Sequence, residues 1–213
     1  MSLANPQHLG HPNFDLHLAS SQNASALSRL MTETFVAAYG HVVSAEQLQR
    51  HIERSYSAKL IAKRINAGKI EVWTLRAAPD SSKDAGYLQL GLRASPPELL
   101  QTRTAVPLQR DANAPQKMPL PALEVQRCYL RPEFIGSGAG ALLIRHAQRR
   151  ATELGAQMVH LSVYQQAPRA VRFYEKHGFA AAGAVQFYID DVAFDDWLMV
   201  WMNPDLAGSG SRA

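Results

Sequence analysis

A glycine-spaced turn between a predicted strand and a predicted helix restricts the fold of this chain more than any other feature. Residues 136–140 read Gly-Ser-Gly-Ala-Gly; a predicted strand, residues 123–130, precedes them, and a predicted helix follows at once. Glycines allow backbone N–H groups to approach a ligand closely, and the N-terminus of a helix adds positive potential. The turn therefore predicts a binding site for the pyrophosphate of a nucleotide-like cofactor.

Two common phosphate-binding loops match this turn poorly. A Walker loop ends in Gly-Lys followed by Ser or Thr, and these residues are absent. The dinucleotide fingerprint G-x-G-x-x-A is satisfied by Gly136, Gly138 and Ala141, but residues 131–135 separate it from the predicted strand. That fingerprint also needs an acidic residue after the next strand, and the predicted strand 157–163 is followed by Tyr-Gln-Gln. A dinucleotide-binding loop therefore fits only loosely.

A third type of loop, Arg/Gln-x-x-Gly-x-Gly/Ala, belongs to the GNAT acyl-CoA N-acetyltransferases, and the chain resembles this family from the turn to its C-terminus. Residues 129–132 (Tyr-Leu-Arg-Pro) resemble its fourth strand, and residues 161–164 (Leu-Ser-Val-Tyr) resemble its fifth. Residues 170–179 (Ala-Val-Arg-Phe-Tyr-Glu-Lys-His-Gly-Phe) are similar to its most recognisable helix. A glycine loop alone is a weak signal, but a glycine loop followed by this helix about 35 residues later is a strong one.

The resemblance implies an α/β (α+β) architecture, the GNAT acyl-CoA N-acyltransferase fold, in which helices flank a mixed, twisted central sheet. Hydrophobic periodicity, helix caps and glycines predict the elements of such a fold directly. They are a strand at 14–19, helices at about 21–39 and 45–65 with a break near 55–57, strands at 69–76, 86–93 and 123–130, the helix after the turn, a strand at 157–163, a helix at 168–177, and strands at 179–190 and 196–202.

The predicted elements form a single GNAT domain over residues 14–203. Residues 1–13 are predicted to be a flexible tail, and residues 204–213 are predicted to be a polar C-terminal tail. Residues 94–122 carry six prolines and little periodicity, which predicts a Pro-rich insertion within the domain. The insertion is either a partly ordered flap or an added loop.

The composition restricts location and partners. One cysteine, Cys128, among 213 residues excludes an internal disulfide framework and suits a reducing cytoplasm. No apolar run approaches the ~20 residues of a membrane span, so no membrane partner is expected. The net charge is +4, but the basic residues are scattered, so no nucleic-acid partner is expected. His8, His11 and His17 lack acids or cysteines at metal-ligand spacing, and no metal is predicted.

The resemblance implies acetyl-CoA as co-substrate, held mainly by backbone groups. The backbone of Cys128, Tyr129 and Leu130 would hold the pantetheine arm and the thioester carbonyl. The pyrophosphate would lie against the loop, whose residues are Ile135, Gly136, Ser137, Gly138, Ala139, Gly140 and Ala141. Two positions depart from the family pattern: Ile135 replaces Arg or Gln, and Ala167 replaces an Asn that contacts the cofactor. Each lost hydrogen bond would weaken binding by only about 0.5–1.5 kcal/mol.

Two residues are candidates for acid–base catalysis. Tyr174 matches the family's general acid, which contacts the cofactor and protonates the departing thiolate; the alternative is that it packs on its helix like Phe173. Glu124 stands at the start of the predicted fourth strand, where the family often uses an acid, directly or through water, to deprotonate the amine. The alternative for Glu124 is a surface strand residue. His160 is interpreted as a core residue and His177 as a helix-end cation.

The predicted acceptor site draws on the first helix and on the last turn. The resemblance places Glu33 and Tyr39 in the helix that lines the acceptor pocket, with a solvated helix face as the alternative for Glu33. Asp190 and Asp191 would attract a cationic amine, or they are ordinary turn residues. A fainter resemblance, to the bacterial polyamine N-acetyltransferases, lies in residues 33–35, 123–127, 187–191 and 196–199.

These features together predict an acetyl-CoA-dependent N-acetyltransferase. It would transfer the acetyl group to a small primary amine such as a polyamine, by direct attack in a ternary complex. Two alternatives stay open. One is a protein or peptide N-terminal acetyltransferase, and the other is a non-catalytic acyl-CoA-binding protein with the GNAT fold. A homodimer is a further expectation.

Overall fold

The computed structural model describes residues 13–78, 83–94 and 121–206, apart from the side chains of Arg93 and Ala94. Its strands are β1 (Phe14–Leu18), β2 (Ile70–Ala77), β3 (Asp84–Ala94), β4 (Ala122–Leu130), β5 (Met158–Tyr164), β6 (Ala180–Ile189) and β7 (Val192–Met202). Its helices are α1 (Ala24–Tyr39), α2 (Ala45–Tyr56), α3 (Ala58–Asn66), α4 (Ala139–Glu153) and α5 (Pro168–Lys176). Most of the predicted insertion and of both predicted tails lies outside the described residues.

The strands form a mixed seven-stranded sheet in the order β1-β2-β3-β4-β5-β7-β6. β1 pairs with β2 and β2 with β3 in antiparallel fashion, β4 pairs with β5 in parallel, and β5 pairs with β7 in antiparallel fashion. The parallel pair is joined by α4, as a parallel connection requires. The structure thus confirms the predicted α/β fold class, with helices flanking a mixed sheet.

The described residues divide into two compact units. Unit 1 comprises residues 13–92, 127–144 and 189–191 as far as they are described, and unit 2 comprises the remaining described residues. The boundary between the units passes through β4 and through α4, so each of these elements contributes to both units. The single domain predicted for residues 14–203 stays a prediction.

The core of unit 1 is built from one face of α1 and the inner residues of its strands. Leu27, Met31 and Phe35 recur at helical spacing and are each at most 2% exposed. Helix α2 begins at the predicted capping box, in which the Gln47 N–H donates to Ser44 Oγ at 3.2 Å. The predicted break between the two helices is confirmed, because one residue with extended backbone separates α2 from α3.

Both faces of β5 and β7 contribute buried residues to the core of unit 2, and one cluster lies on the face shared with β4. Antiparallel pairing of β5 with β7 runs from Met158↔Met202 to Tyr164↔Asp196. One buried cluster unites the apolar residues of this face with two from β6; its members are Ala122, Met158, Ala182, Val185, Leu198 and Val200. Strand β5 is buried along most of its length, which explains its nearly continuous apolar sequence.

Candidate functional site

The predicted pyrophosphate loop has the backbone conformation that its glycines suggested. It follows a short turn of 3₁₀ helix, Pro132–Phe134, at the end of β4. Gly136 has φ 90° and Gly138 has φ 88°, values that a residue with a side chain rarely adopts. Ser137 Oγ donates to the Phe134 carbonyl at 2.8 Å and accepts from the Ala139 N–H at 3.3 Å. The loop is therefore shaped by glycine conformation and by one serine.

Four backbone N–H groups of this segment are free to meet a ligand. The Ile135 N–H donates to the Pro132 carbonyl, and the Ser137 N–H donates to the Phe134 carbonyl. Within the described part of the chain, no acceptor meets the N–H groups of Gly136, Gly138, Gly140 and Ala141. Free N–H groups at the start of a helix form the kind of site that binds phosphate. The arrangement fits the pyrophosphate of acetyl-CoA.

The end of β4 lies unusually close to β3, and sequence reasoning missed the cause. A Cβ atom at Gly86 would lie 2.4 Å from the Tyr129 carbonyl oxygen and 2.6 Å from Leu130 Cδ2. Gly86 is therefore required for the approach of β3 to the three residues predicted to hold pantetheine. A glycine inside an otherwise apolar strand was the available signal. Burial raises the pKa of the Cys128 thiol to about 12, so this thiol stays protonated and is a poor nucleophile.

The two positions that depart from the family pattern lie in different settings. Ile135 is 62% exposed, so its side chain packs into the core of neither unit. Ala167 is the N-cap of α5, where its carbonyl accepts from the N–H groups of Ala170 and Val171. The backbone at Ala167 therefore has a structural role that does not need the asparagine side chain.

Tyr174 lies in α5 and is partly buried. Its ring meets the Phe173 ring edge to face at a centroid distance of 5.2 Å and the Phe179 ring at 5.9 Å. Its carbonyl accepts from the His177 and Phe179 N–H groups. The predicted acid is thus held in place by packing on both sides, which is compatible with a positioned proton donor and with a packing role.

Glu124 is partly exposed and lies opposite a buried histidine. In the parallel register of β4 and β5, Glu124 pairs with His160, which is 1% exposed. Glu124 Oε2 accepts from Gln126 Nε2 at 2.7 Å. Burial lowers the pKa of His160, while the charge of Glu124 opposes this shift. His160 is a core residue, as predicted, but the sequence did not reveal that it is paired with the candidate base.

Asp196 is a buried acid of unit 2. It lies in β7 rather than in a turn, and it is 4% exposed. Burial raises the pKa of Asp196 to about 6, and a hydrogen bond with Ser162 opposes the rise. A buried carboxyl group of this kind contributes little to a surface that attracts cations.

Side chains of α2 bind both acids of the turn between β6 and β7. The Asp190 side chain is 8% exposed, and its Oδ2 lies 2.6 Å from Arg50 Nη2. Arg54 forms a second ion pair with Asp190 through Oδ1. Asp191 Oδ1 accepts from Gln47 Nε2 at 2.9 Å. Asp190 has φ 56°, so a strained backbone position presents its carboxylate to the two arginines.

The candidate acceptor residues of α1 also have protein partners. Glu33 Oε2 lies 2.5 Å from Arg131 Nη1. The Tyr39 ring lies 4.8 Å from the Phe35 ring, and a hydrogen bond links Tyr39 to Tyr129. Unit 1 therefore contains Glu33, Tyr39, the end of β4 and the acidic turn; Glu33 and Asp190 pair with arginines, and Asp191 accepts from Gln47.

The described residues contain no group of three or more His, Cys, Asp or Glu side chains that could hold a metal ion. None of the helices in the described ranges is long and apolar enough to cross a membrane.

Comparison with known proteins identifies the class to which the fold and the loop belong. Residues 108–179 match the acetyltransferase (GNAT) family, and the match contains the end of β4, the glycine loop, α4 and α5. Over these residues the chain is similar to the GNAT acetyltransferases. This confirms the family resemblance of the loop and of the helix that contains Tyr174.

Relatives in sequence cover only part of the chain. Uncharacterized N-acetyltransferases of Mycobacterium bovis and Mycobacterium tuberculosis are 37% identical over 78 residues, which is 37% of this chain and 50% of each relative. The chain thus spans about half the length of the curated relatives it matches.

Solved structures resemble the chain over most of its length. The PaiA N-acetyltransferase of Thermoplasma acidophilum, solved in complex with coenzyme A, has a TM-score of 0.62 at 19% identity, covering 89% of this chain and 98% of that protein. A mutant of the spermidine N-acetyltransferase SpeG of Vibrio cholerae has a TM-score of 0.59 at 17% identity, covering 93% and 99%. Identities this low show the fold alone.

Proposed function

We propose that this protein is an acetyl-CoA-dependent N-acetyltransferase that acetylates a primary amine. The observation that carries the proposal is the set of four backbone N–H groups, at Gly136, Gly138, Gly140 and Ala141, that have no acceptor in the described chain. They occur in the segment that matches the GNAT family. The structural neighbour in complex with coenzyme A supports the same cofactor.

The proposed reaction needs binding, orientation and three proton transfers. The loop binds the pyrophosphate, and the backbone of Cys128, Tyr129 and Leu130 orients the thioester, which supplies an activated acetyl group. Glu124, directly or through water, accepts a proton from the ammonium group. The neutral amine nitrogen then bonds to the acetyl carbon as the carbon–sulfur bond breaks, and Tyr174 gives its phenolic proton to the sulfur. The nitrogen loses its second proton through water to the Tyr174 phenolate, which restores the phenol. The roles of Glu124 and Tyr174 are proposals carried by the family resemblance.

A polyamine acceptor is the finer prediction of the sequence. Its support is the fold shared with proteins named spermidine N-acetyltransferases. The charges of unit 1 do not favour it, because Glu33 and Asp190 are each ion-paired to arginine. A carboxylate that is already neutralised attracts a polycation weakly.

Two alternative functions have to be distinguished from this proposal by experiment. A peptide N-terminal acetyltransferase would prefer peptides to small amines. A non-catalytic acyl-CoA-binding protein would bind acetyl-CoA without turnover, and the exposed Ile135 and the capping residue Ala167 motivate it. A cytoplasmic location and a homodimer are predictions that accompany the proposal.

Thermal unfolding with acetyl-CoA tests the cofactor. At a hundred times its Kd, acetyl-CoA should stabilise the fold by about 2.7 kcal/mol and raise Tm by about 5–10 °C. Gly138→Asp should abolish the shift, because it places a side chain and a negative charge at a residue with φ 88°. Gly68→Asp is the matched control, since Gly68 also has a left-handed φ, 61°, but stands at the end of α3.

Two results would overturn the cofactor assignment. One is an equal shift with NAD or ATP and none with acetyl-CoA. The other is loss of the shift in Gly68→Asp as well, which would mean that the effect of Gly138→Asp is not local. Thiol release from acetyl-CoA in the presence of amines then tests turnover. Binding without turnover on any amine would favour the non-catalytic alternative.

A further inference from the structure

We infer that Arg127 recognises a carboxylate on the acceptor, so that the substrate is a primary amine that also carries a negative charge, such as a small amino acid. The inference rests on the proposed N-acetyltransferase activity and names the acceptor class for the same site. It departs from the polyamine prediction, because it replaces a polycation with a molecule that has both charges.

Arg127 lies near the end of β4, directly before the residues proposed to hold the thioester. Its guanidinium carbon lies 4.8 Å from the centroid of the Tyr56 ring. Its Nε donates to the Tyr56 hydroxyl at 3.3 Å. The aromatic ring therefore holds the guanidinium in one orientation by a cation–π contact and one hydrogen bond.

The Tyr56 ring beside this guanidinium belongs to an aromatic cluster. The Tyr56 ring lies 5.2 Å from the Phe35 ring and 5.8 Å from the His51 ring. On the same face of β4 as Arg127, two residues along, the Tyr129 ring lies 5.9 Å from the Tyr87 ring. The cluster (Phe35, Tyr39, His51, Tyr56, Tyr87 and Tyr129) has an interior with little water, where electrostatic interactions are stronger than at an open surface.

No protein charge in the described residues balances Arg127. No carboxylate among them lies within ion-pair distance of it, whereas Arg76 Nε lies 3.1 Å from Asp84 and Arg131 Nη1 lies 2.5 Å from Glu33. A guanidinium in such surroundings, without a counter-charge, is unfavourable by itself and becomes favourable when an anion arrives.

The neighbouring rings do not supply the missing negative charge. Burial raises the pKa of Tyr56, Tyr87 and Tyr129, so all three phenols stay neutral near pH 7. Burial, with the charges of Arg127 and Arg54, lowers the pKa of His51, so the imidazole is neutral too. The cluster therefore carries one uncompensated positive charge.

The free part of the guanidinium suits a carboxylate. Nε is engaged by Tyr56, and within the described chain no partner is found for Nη1 and Nη2. These two nitrogens carry four N–H donors in a planar fork that matches two carboxylate oxygens. Arg127 also keeps part of its surface exposed, while Tyr56 is 2% exposed and Tyr87 fully buried. The part of the cluster that is exposed to solvent is therefore the part that carries the guanidinium.

The same charge disfavours a polyamine. A second positive charge placed near a partly buried guanidinium is repelled more strongly than it would be in water. Glu33 and Asp190 do not offset this repulsion, because each is already paired with an arginine. Arg127 has no carboxylate partner in the described chain, whereas Glu33 and Asp190 are paired with arginines. Unit 1 therefore favours an acceptor that carries a carboxylate over a polyamine.

Matched acceptors test the inference in the full-length protein. The panel pairs L-phenylalanine with L-phenylalaninamide and 4-aminobutyrate with butylamine, and it adds spermidine. Rates are expressed per neutral amine, because a carboxylate raises the pKa of a neighbouring ammonium group. At least one carboxylate acceptor should have kcat/KM about 10- to 100-fold above its uncharged partner, the range expected for a charge-assisted contact.

Variants assign that preference to Arg127. Arg127→Gln should remove most of it, chiefly through KM, and leave acetyl-CoA binding unchanged. Arg127→Lys should keep part of it, because the charge remains while the planar fork is lost. Arg29→Gln is the matched control, since Arg29 is an exposed arginine of α1, and it should keep the full preference.

The outcomes separate this inference from the function on which it rests. Equal or better turnover of the uncharged amines or of spermidine by the wild-type protein would overturn the inference and leave the acetyltransferase standing. Binding of acetyl-CoA with no amine acetylated would overturn both. The comparison of charged with uncharged acceptors uses the wild-type protein alone. The inference can therefore be overturned even if Arg127→Gln does not fold. A preference that survives in Arg127→Gln would exclude Arg127 as its source.

Discussion

The two compact units carry functional groups of different kinds. In unit 1 the candidate cofactor-binding groups are main-chain N–H groups of the glycine loop, and its acids Glu33 and Asp190 are paired with arginines. In unit 2 the candidate groups are side chains: Glu124 faces the buried His160, and Asp196 is buried without a cationic partner in the described chain.

This difference between main-chain and side-chain groups indicates a different role for each unit. Main-chain N–H donors do not titrate, so the glycine loop of unit 1 is suited to binding and orientation. Tyr174 and Glu124 can donate or accept a proton, so unit 2 is suited to proton transfer. Substitutions in the two units test this division.

Replacing Tyr174 should separate chemistry from binding. If unit 2 supplies the proton for the leaving thiolate, Tyr174→Phe should lower kcat by ~10²-fold with little change in acetyl-CoA affinity. Steady-state kinetics with a confirmed amine, together with calorimetric titration of acetyl-CoA, measures both quantities. Tyr188→Phe is the control, because Tyr188 is 52% exposed and its hydroxyl contacts only Gln186 among described residues.

An unchanged kcat in Tyr174→Phe would assign Tyr174 to packing against Phe173 and Phe179. Loss of acetyl-CoA affinity together with kcat would instead break the division, since unit 2 would then contribute to binding.

Asp196 should make stability depend on pH. Its folded-state pKa of about 6 lies above the ordinary 3.8, so the folded state holds the proton more tightly than the unfolded state. The stability that this group contributes is therefore present below about pH 4 and is lost as pH rises through about 6, by about 2 kcal/mol. Asp196→Asn should remove the loss, and so gain about 2 kcal/mol relative to wild type between these limits.

Urea unfolding near pH 4 and near pH 7 measures this gain. The buried His146, whose pKa is lowered to about 3 by burial, acts in the opposite direction, but it is present in both proteins and cancels in the difference. Asp195→Asn is the comparison variant, because Asp195 is exposed and its charge adds less than burial does to the raised pKa of Asp196, so its gain should be smaller. The same pH-dependent gain in both variants would show that burial of Asp196 is not its cause.

The acidic turn should have the smallest effect. Because Asp190 is paired with Arg50 and Arg54, Asp190→Asn and Asp191→Asn should change the ratio of KM for spermidine to KM for butylamine by less than about twofold. Asparagine tolerates the left-handed backbone of Asp190, so the turn should keep its shape. A several-fold rise for spermidine alone, reduced by salt, would restore the polyamine prediction and contradict the pairing argument.

Much of the fold followed from local sequence. The capping box of Ser44 and Gln47, the break at Ser57 and the glycine turn at residues 136–140 all appear where the sequence predicts them. Each depends on conformational preferences of a few adjacent residues, which is why no tertiary information was needed. The requirement for Gly86 was missed, because it arises from the Tyr129 carbonyl on another strand.

The candidate site was predictable in part for the same reason. The loop binds through its backbone, so glycine positions were enough to locate it, and the family match supports that location. The acceptor residues were predicted by sign of charge alone, and their charge partners lie far away in sequence: Asp190 and Arg50 are 140 positions apart. A local sequence pattern cannot predict ion pairs between residues that only folding brings together.

The sequence by itself determined the order of strands and helices along the chain, the glycine conformation of the loop and the family resemblance of residues 108–179. Only the tertiary structure decided which charges remain available. It paired Glu33 with Arg131 and Asp190 with Arg50, it buried Asp196, and it left Arg127 beside Tyr56 without a carboxylate in the described chain. The physical reason is that backbone conformation depends on neighbours in sequence, whereas the energy of a charge depends on every group that folding brings around it.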